Sequence, residues 1–416
     1  MDAVRPAPLV EAAVRDLLPG LATAGRILVV GGGKAGAGML DGLRVGLGEH
    51  AVKAIGLVNV PGPQPEAPAR AGAGGVRLHP ARPVGSNFPT AAGVAGVAEM
   101  LSLLRSAGPD DVCVCLLSGG GSALLPMPAA GVTLADKLAV TQVLSRAGAT
   151  IGELNAVRKH LSAVKGGRLA EAFRGRRLMS LVISDVVNDP LDVIASGPTV
   201  PDPTTYADAV AVLERYAVAA PLAVVDHLRR GEAGQLPETP KQEADNAECR
   251  LIGNNARALA AAYLAAADIG YEVVLLGSGF QCEASRLAAQ FAERVRRCNR
   301  GRPTCLIAGG ETTVTLGPAP GKGGRNQELV LAAMLALGDG LAGVCVFSGG
   351  TDGEDGPTDA AGAVATLDTW QRAKGLDPAG HLARHDAYPL FDRCGGLLRT
   401  GLTGTNVMDL QVVLVT

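Results

Sequence analysis

Residues 26–38 read RILVVGGGKAGAG. The apolar run after Arg26 forms a compact strand, the glycines break it, and a helical pattern is established by about Met39. Strand, glycine turn and helix in that order open an α/β fold, and the same grammar recurs along the chain. Ala54–Val60 reads as a second strand ended by PGPQPEAP, Val112–Leu117 (VCVCLL) runs into SGGGSALLP, and Leu178–Ser184 (LMSLVIS) runs into DVVNDP. Helical patterns occupy residues 10–19, Thr90–Ser106, Leu134–Ala147, Leu154–Phe173 and Tyr206–His227. Strands alternating with helices predict a parallel, doubly wound sheet. Ligands of such sheets bind outside the carboxyl ends of the strands, where these glycine loops fall.

A chain of 416 residues is long for one core and predicts about two domains. Residues 229–248 (RRGEAGQLPETPKQEADNAE) are polar and carry two prolines, which marks a linker and divides the chain into 1–235 and 236–416. Strand signals beyond it at Arg250–Gly253, Tyr271–Leu276, Thr304–Ala308, Gly343–Phe347 and Leu410–Thr416 predict a second, smaller α/β domain. A net charge of −2 and 3% aromatic residues argue against nucleic acid and against an anionic membrane surface as partners. The uncharged stretch Val112–Ala135 is long enough to span a bilayer, but three consecutive glycines and two prolines make it a buried strand entering a loop. Eight scattered cysteines form no zinc or disulfide framework, and the charged N-terminus lacks a secretory apolar core. A cytoplasmic protein is expected.

Four glycine loops stand out: GGGKAG at 31–36, SGGGSA at 118–123, GKGGRNQE at 321–328 and SGGTDGEDGPTD at 348–359. Glycine allows consecutive backbone N–H groups to converge on an anion, so the set predicts a phosphorylated ligand. The first loop fits G-x-G-x-x-G through Gly31, Gly33 and Gly36. A dinucleotide fold would also place an acid at the end of the second strand, and Leu57-Val58-Asn59-Val60-Pro61 has none. A Walker A loop is missing too, because the Gly-Lys of GPAPGKGG is followed by glycine. Lys34 is one of 8 lysines against 30 arginines and sits inside a glycine loop, where an ammonium can neutralise a carboxylate or a transferring phosphoryl group. Arg325 precedes a helix, where a cation is unfavourable unless an anion answers it; Asn326 and Gln327 could orient nearby groups. Residues 158–177 carry seven Lys/Arg against one Glu, either a solvated face or a wall that steers an anion. Asp185, Asp189, Glu311, Asp352, Asp355 and Asp359 lie in or beside the loops, placed either to hold magnesium or to form turns and caps. His381 and His385 are four apart with nothing to complete a zinc set.

The segments GGGSALLPMPAAGVTLADK, ELNAVRKHLSAVKGGRLA, DPLDVIASGPTVPDPTT, GGETTVTL, GKGGRNQEL, GGTDGEDGPTDAAGAV and TGTNVMDL resemble, in order, the glycerate 2-kinases with the C-terminal domain called MOFRL, here about 303–412. The resemblance implies a Rossmann-like N-terminal domain, a smaller C-terminal α/β domain and an active site in the cleft between them. It implies ATP, Mg2+ and D-glycerate as the small-molecule partner, giving 2-phosphoglycerate and ADP, in a monomer or homodimer. Lys34 and Arg325 match the residues the family uses at its active site. Gly32, Gly33, Ser118, Gly119, Gly120, Gly121, Ser122, Asn155, Asn326, Gly350 and Thr351 are the expected substrate and nucleotide contacts, with Asp189, Glu311 and Asp352 as metal ligands. The chain departs from the family at Val187-Asn188, at Leu402 and at Met408. Members have also been named hydroxypyruvate reductases, a chemistry that the missing ribose acid argues against.

Overall fold

The computed structural model describes residues 2–62, 75–298 and 301–416; the expected PGPQPEAP turn falls outside the described residues from 63 onward. The first sheet holds β1 Ile27–Gly32, β2 Ala54–Pro61, β3 Gly75–Arg82, β4 Val112–Leu117, β5 Arg177–Ile183 and β6 Ala247–Gly253, in the order β3-β2-β1-β4-β5-β6. Neighbouring strands from β3 through β5 run parallel. β1 and β4 lie side by side at the centre and every residue of both is buried, which is why each reads as an unbroken apolar run. Strand order reverses between them, and that reversal opens the crevice in which doubly wound sheets bind ligands. β3 was not expected. It carries Pro80 and alternates charge with apolar residues, a pattern tolerated because it is the edge strand.

The second sheet is mixed. β7 Glu272–Phe280, β8 Thr304–Gly310, β9 Val344–Gly350, β10 Gly362–Ala365, β11 Leu397–Leu398 and β12 Asp409–Val415 lie in the order β11-β10-β9-β12-β8-β7. β7 and β8 are parallel and the other pairs antiparallel. β12 is inserted between β8 and β9, so the start of β12 meets the ends of both. The helix Arg325–Leu337 covers one face, with Leu329–Met334 entirely buried among Phe291, Phe391 and Val346.

The chain forms two compact units: Pro6–Ser184 with Asp189–Ile252 around the first sheet, and Met1–Arg5, Asp185–Asn188 and Gly253–Thr416 around the second. The expected linker at 229–248 lies inside the first-sheet unit, because β6 joins β5. Two expected helices are broken. The pattern from Leu154 ends with the helix Ile151–His160, since Ser162 Oγ accepts the amides of Val164 and Lys165 and Gly166 and Gly167 adopt φ of 59° and 85°; a short helix, Arg168–Glu171, follows. The pattern from Tyr206 splits into Tyr206–Tyr216 and Leu222–Glu232, because Ala217 turns left-handed and Pro221 starts a new helix. Among the described residues no helix is long and apolar enough to cross a membrane.

Candidate active site

At the crevice of the first sheet, the loops after β1 and β4 pack on each other. Gly33 has to be glycine, since a Cβ there would stand 1.9 Å from Ser118 Oγ. The close approach consumes the amides of the first loop. Gly33 N donates to Asn59 O (3.2 Å), Lys34 N to Gly119 O (2.8 Å), Ala35 N to Ser118 Oγ (3.0 Å) and Gly36 N to Gly33 O (3.2 Å). The loop at 31–36 is therefore no open anion nest, contrary to expectation; Gly32 and Gly33 serve to bring Lys34 against the second loop. In that second loop the amides of Gly119, Gly120 and Ser122 donate to no other group among the described residues. Ser118 is buried and committed to Ala35, and a Cβ on Gly121 would come 2.7 Å from Ala195 Cβ.

Three further groups converge on this loop. Lys34 is half-buried, and its Cγ lies 3.4 Å from where a Cβ would stand on Gly120. Arg82, buried at the end of β3, brings Nη2 within 3.1 Å of the same point. Sequence reading passed over it because β3 was not recognised. On the other side Ser122 Oγ is 2.9 Å from Ser196 Oγ, which donates to Asn155 Oδ1 at 3.3 Å. Asn155 is thus buried and reaches the loop through Ser196. Ala195, Ser196 and Gly197 are consecutively left-handed, with φ of 52°, 63° and 58°, a costly conformation for the two non-glycine residues that aims Ser196 at Ser122. Asn59 occupies the place of a ribose-binding acid; it is fully buried, with Nδ2 donating to Leu124 O at 2.7 Å and Gly93 O at 3.1 Å.

In the second-sheet unit, Arg325 is held by two carboxylates. Nε donates to Asp409 Oδ2 at 2.6 Å and Nη2 to Asp409 Oδ1 at 2.9 Å, while Nη1 lies 2.9 Å from Glu311 Oε1. Burial works against the guanidinium charge, but Asp409 and then Glu311 more than offset it and hold the group above its ordinary range. The forked grip expected for a substrate carboxylate is thus made on Asp409. Of the five N–H groups, two remain for another anion. Asp409 is completely buried at the start of β12, in register with Gly310 on β8 and Gly350 on β9. The flanking glycines leave room for it: a Cβ on Gly350 would lie 3.5 Å from Asp409 Oδ1 and 3.1 Å from Asp352 Oδ1.

Several expected contact residues hydrogen-bond within the protein. Asn326 is fully buried, with Nδ2 on Asp355 Oδ1 and Oδ1 accepting from Ser348 Oγ. Thr351 Oγ1 donates to Met408 O and accepts from Val407 N, which ties β9 to the segment before β12. Asp355 accepts the amides of Asn326 and Gln327 at 3.0 and 2.9 Å and so caps the helix that carries Arg325. Asp359 pairs with Tyr388 and Arg399 at the surface. Asp189 adopts φ of 54°, outside any helix. His381 and His385 turn to Asp386 and Glu328, and among the described residues no three His, Cys, Asp or Glu side chains converge as a metal set.

Burial, reinforced by Asp409, pushes the Asp355 carboxyl up to about 6, against the pull of its two amide donors. The folded state therefore keeps a proton that the unfolded chain releases near pH 4. Stability from this group is complete below that, falls as pH rises to about 6, and is flat beyond. Between pH 5 and 7 the wild type should lose about 1–2 kcal/mol that Asp355→Asn does not lose, at about 1.4 kcal/mol per unit of pKa. Urea unfolding of both proteins at the two pH values checks this; parallel losses would show that Asp355 titrates normally.

Residues 1–229 match the family model described as a domain of unknown function, DUF4147, and residues 304–409 match the MOFRL family. A protein of Pyrococcus horikoshii named glycerate 2-kinase is 41% identical over 341 residues, covering 80% of this chain and 77% of that one. A protein of Agrobacterium vitis provisionally named a hydroxypyruvate reductase is 39% identical over 411 residues, covering 94% and 87%. The crystal structure of a glycerate kinase from Thermotoga maritima superposes with a TM-score of 0.87 at 36% identity, over 100% of this chain and 96% of that one. With both family models and similarity of this extent, the chain belongs to the glycerate 2-kinase family that joins a DUF4147 domain to a MOFRL domain.

Proposed function

We propose that this protein transfers the γ-phosphoryl group of ATP to the 2-hydroxyl of D-glycerate, giving 2-phosphoglycerate and ADP in the cytoplasm. The observation that carries the reading is the contrast between the two glycine loops. The loop a dinucleotide would need has spent its amides on the protein, and Asn59 is locked where a ribose acid would stand. The loop at 119–122 keeps amides open beside Lys34. Nicotinamide binding is thereby disfavoured, and an anion beside a lysine is favoured.

Phosphoryl transfer asks the protein mainly for positioning and charge neutralisation. The amides of Gly119, Gly120 and Ser122 receive anionic oxygens, Lys34 offsets charge that develops in transfer, and Asn155 fixes the Ser122 hydroxyl through Ser196. Arg325 presents its remaining N–H groups to the carboxylate of glycerate, its plane fixed by Asp409 and Glu311. Asp409 is spent on Arg325, so Mg2+ would draw on Asp352, whose Oδ1 lies beside Gly350, with nucleotide oxygens completing its shell. Asp352 would hold the ion, with Glu311 and Asp189 as further candidates. Bound there, Mg2+ would neutralise phosphate charge.

The protein incubated with D-glycerate, ATP and Mg2+ should release ADP. In parallel, hydroxypyruvate with NADH or NADPH should leave the nicotinamide absorbance unchanged. Nicotinamide oxidation without ADP would replace this reading with the reductase.

A further inference from the structure

The first-sheet unit contains cations that no carboxylate answers among the described residues. Lys165 is 3% exposed, and its Nζ donates to Ser122 O at 3.0 Å and Ala195 O at 3.2 Å, both neutral carbonyls. Lys137, 8% exposed, donates to Pro126 O at 3.2 Å and Met127 O at 3.5 Å. Arg158 is half-buried and its guanidinium bonds to no other group among the described residues. Their neighbour Lys159 is different, since it is neutralised by Asp192 and Asp202 at 3.1 Å each. Burial depresses Lys165, and Lys137, Arg158 and Lys159 depress it further; burial and then Arg158 lower Lys137 to about 7.

Three buried or half-buried cations without a carboxylate are costly. A structural lysine or arginine would have been given a carboxylate, as Lys159 was. Arg158 lies on the helix Ile151–His160 three residues after Asn155, so the two share a face. Asn155 is bonded through Ser196 to Ser122, the residue whose carbonyl holds Lys165 and whose amide is open. We propose that Arg158 and Lys165, with the amide and hydroxyl of Ser122, form an oxyanion pocket that binds a phosphoryl or carboxylate group of the substrates. The proposal rests on the kinase reading for the identity of those substrates, but not for the existence of the pocket.

Arg158→Gln and Arg158→Lys test it. Pyrophosphate and D-glycerate, titrated calorimetrically into wild type and variants, read the pocket without turnover, and KM for ATP and for D-glycerate reads it during turnover. Losing a charged hydrogen bond should weaken one ligand by about 10- to 100-fold in Arg158→Gln. Arg158→Lys should recover part of it, since charge is kept and the planar fork lost. Weakening confined to pyrophosphate and ATP assigns a phosphoryl group; weakening confined to D-glycerate assigns the carboxylate. Because an unanswered cation is removed, the Tm of ligand-free Arg158→Gln should equal or exceed that of wild type, whereas loss of a purely structural arginine would lower it. A wild type that binds a probe without releasing ADP would remove the kinase reading and keep the pocket. Wild-type binding and KM in Arg158→Gln, or a wild type that binds neither probe, would overturn the pocket.

Discussion

Replacing Lys34 with alanine should lower kcat by on the order of 10²–10³-fold, the scale for deleting one preorganised donor at developing charge, and leave the fold intact. The structure separates the backbone of this residue from its side chain. The amide of Lys34 bonds Gly119 O whatever the side chain, and the following helix Gly36–Leu47 begins from the packing of Gly33 and Gly36 on Ser118 and Val58. Alanine retains all of that. What it loses includes the ammonium of a side chain whose Cγ packs beside Gly120, within the loop whose amides at Gly119, Gly120 and Ser122 are open. Circular dichroism and Tm should match wild type while steady-state turnover collapses. Near wild-type kcat in the folded variant would make Lys34 a surface residue of the loop.

The second large effect is on stability. Arg325→Ala strips its partner from Asp409, a carboxylate with no exposure, wedged between Gly310 and Gly350. Removing one member of such a pair leaves an uncompensated buried charge and should cost about 3–5 kcal/mol. Adding Asp409→Asn to Arg325→Ala should restore part of that stability, because the orphaned charge is gone. Turnover should not return with it if the outer N–H groups of Arg325 hold a substrate anion. Arg325→Lys is the subtler variant. One ammonium cannot reproduce the fork on both oxygens of Asp409 and also reach Glu311, so it should be less stable than wild type and raise KM for D-glycerate. Urea denaturation with steady-state kinetics on the four proteins checks this. Full recovery of turnover in the double variant would reduce Arg325 to a support for Asp409.

β1, β4 and their glycine loops were legible because a central parallel strand must be apolar on both faces and its turn must break it. β3 was not, since an edge strand carries Pro80 and mixed polarity that resemble a loop. β6 was recognised as a strand but expected in the wrong half: its half-buried pattern suits an edge of either sheet, and pattern alone does not name the neighbour. The helix breaks at Gly166-Gly167 and at Ala217 depend on left-handed residues; glycine announces that conformation and alanine does not. Among the candidate residues, Lys34 and Arg325 stand out in the sequence because each sits within a glycine loop. Asp409 was not, since it reaches Arg325 across 84 residues of sequence through the antiparallel insertion of β12. Lys165 reaches Ser122 across 43, and within its basic run only the structure separates it and Arg158 from the neutralised Lys159.

Transfer of phosphate to the 2-hydroxyl of glycerate is tested most directly by proton-coupled 31P NMR of the completed reaction, which reads the bond formed. With D-glycerate, ATP and Mg2+, a new phosphomonoester resonance should appear, split into a doublet by the single proton on C2 and growing in step with ADP. A triplet from the two protons on C3, or ADP accompanied only by inorganic phosphate, would contradict it.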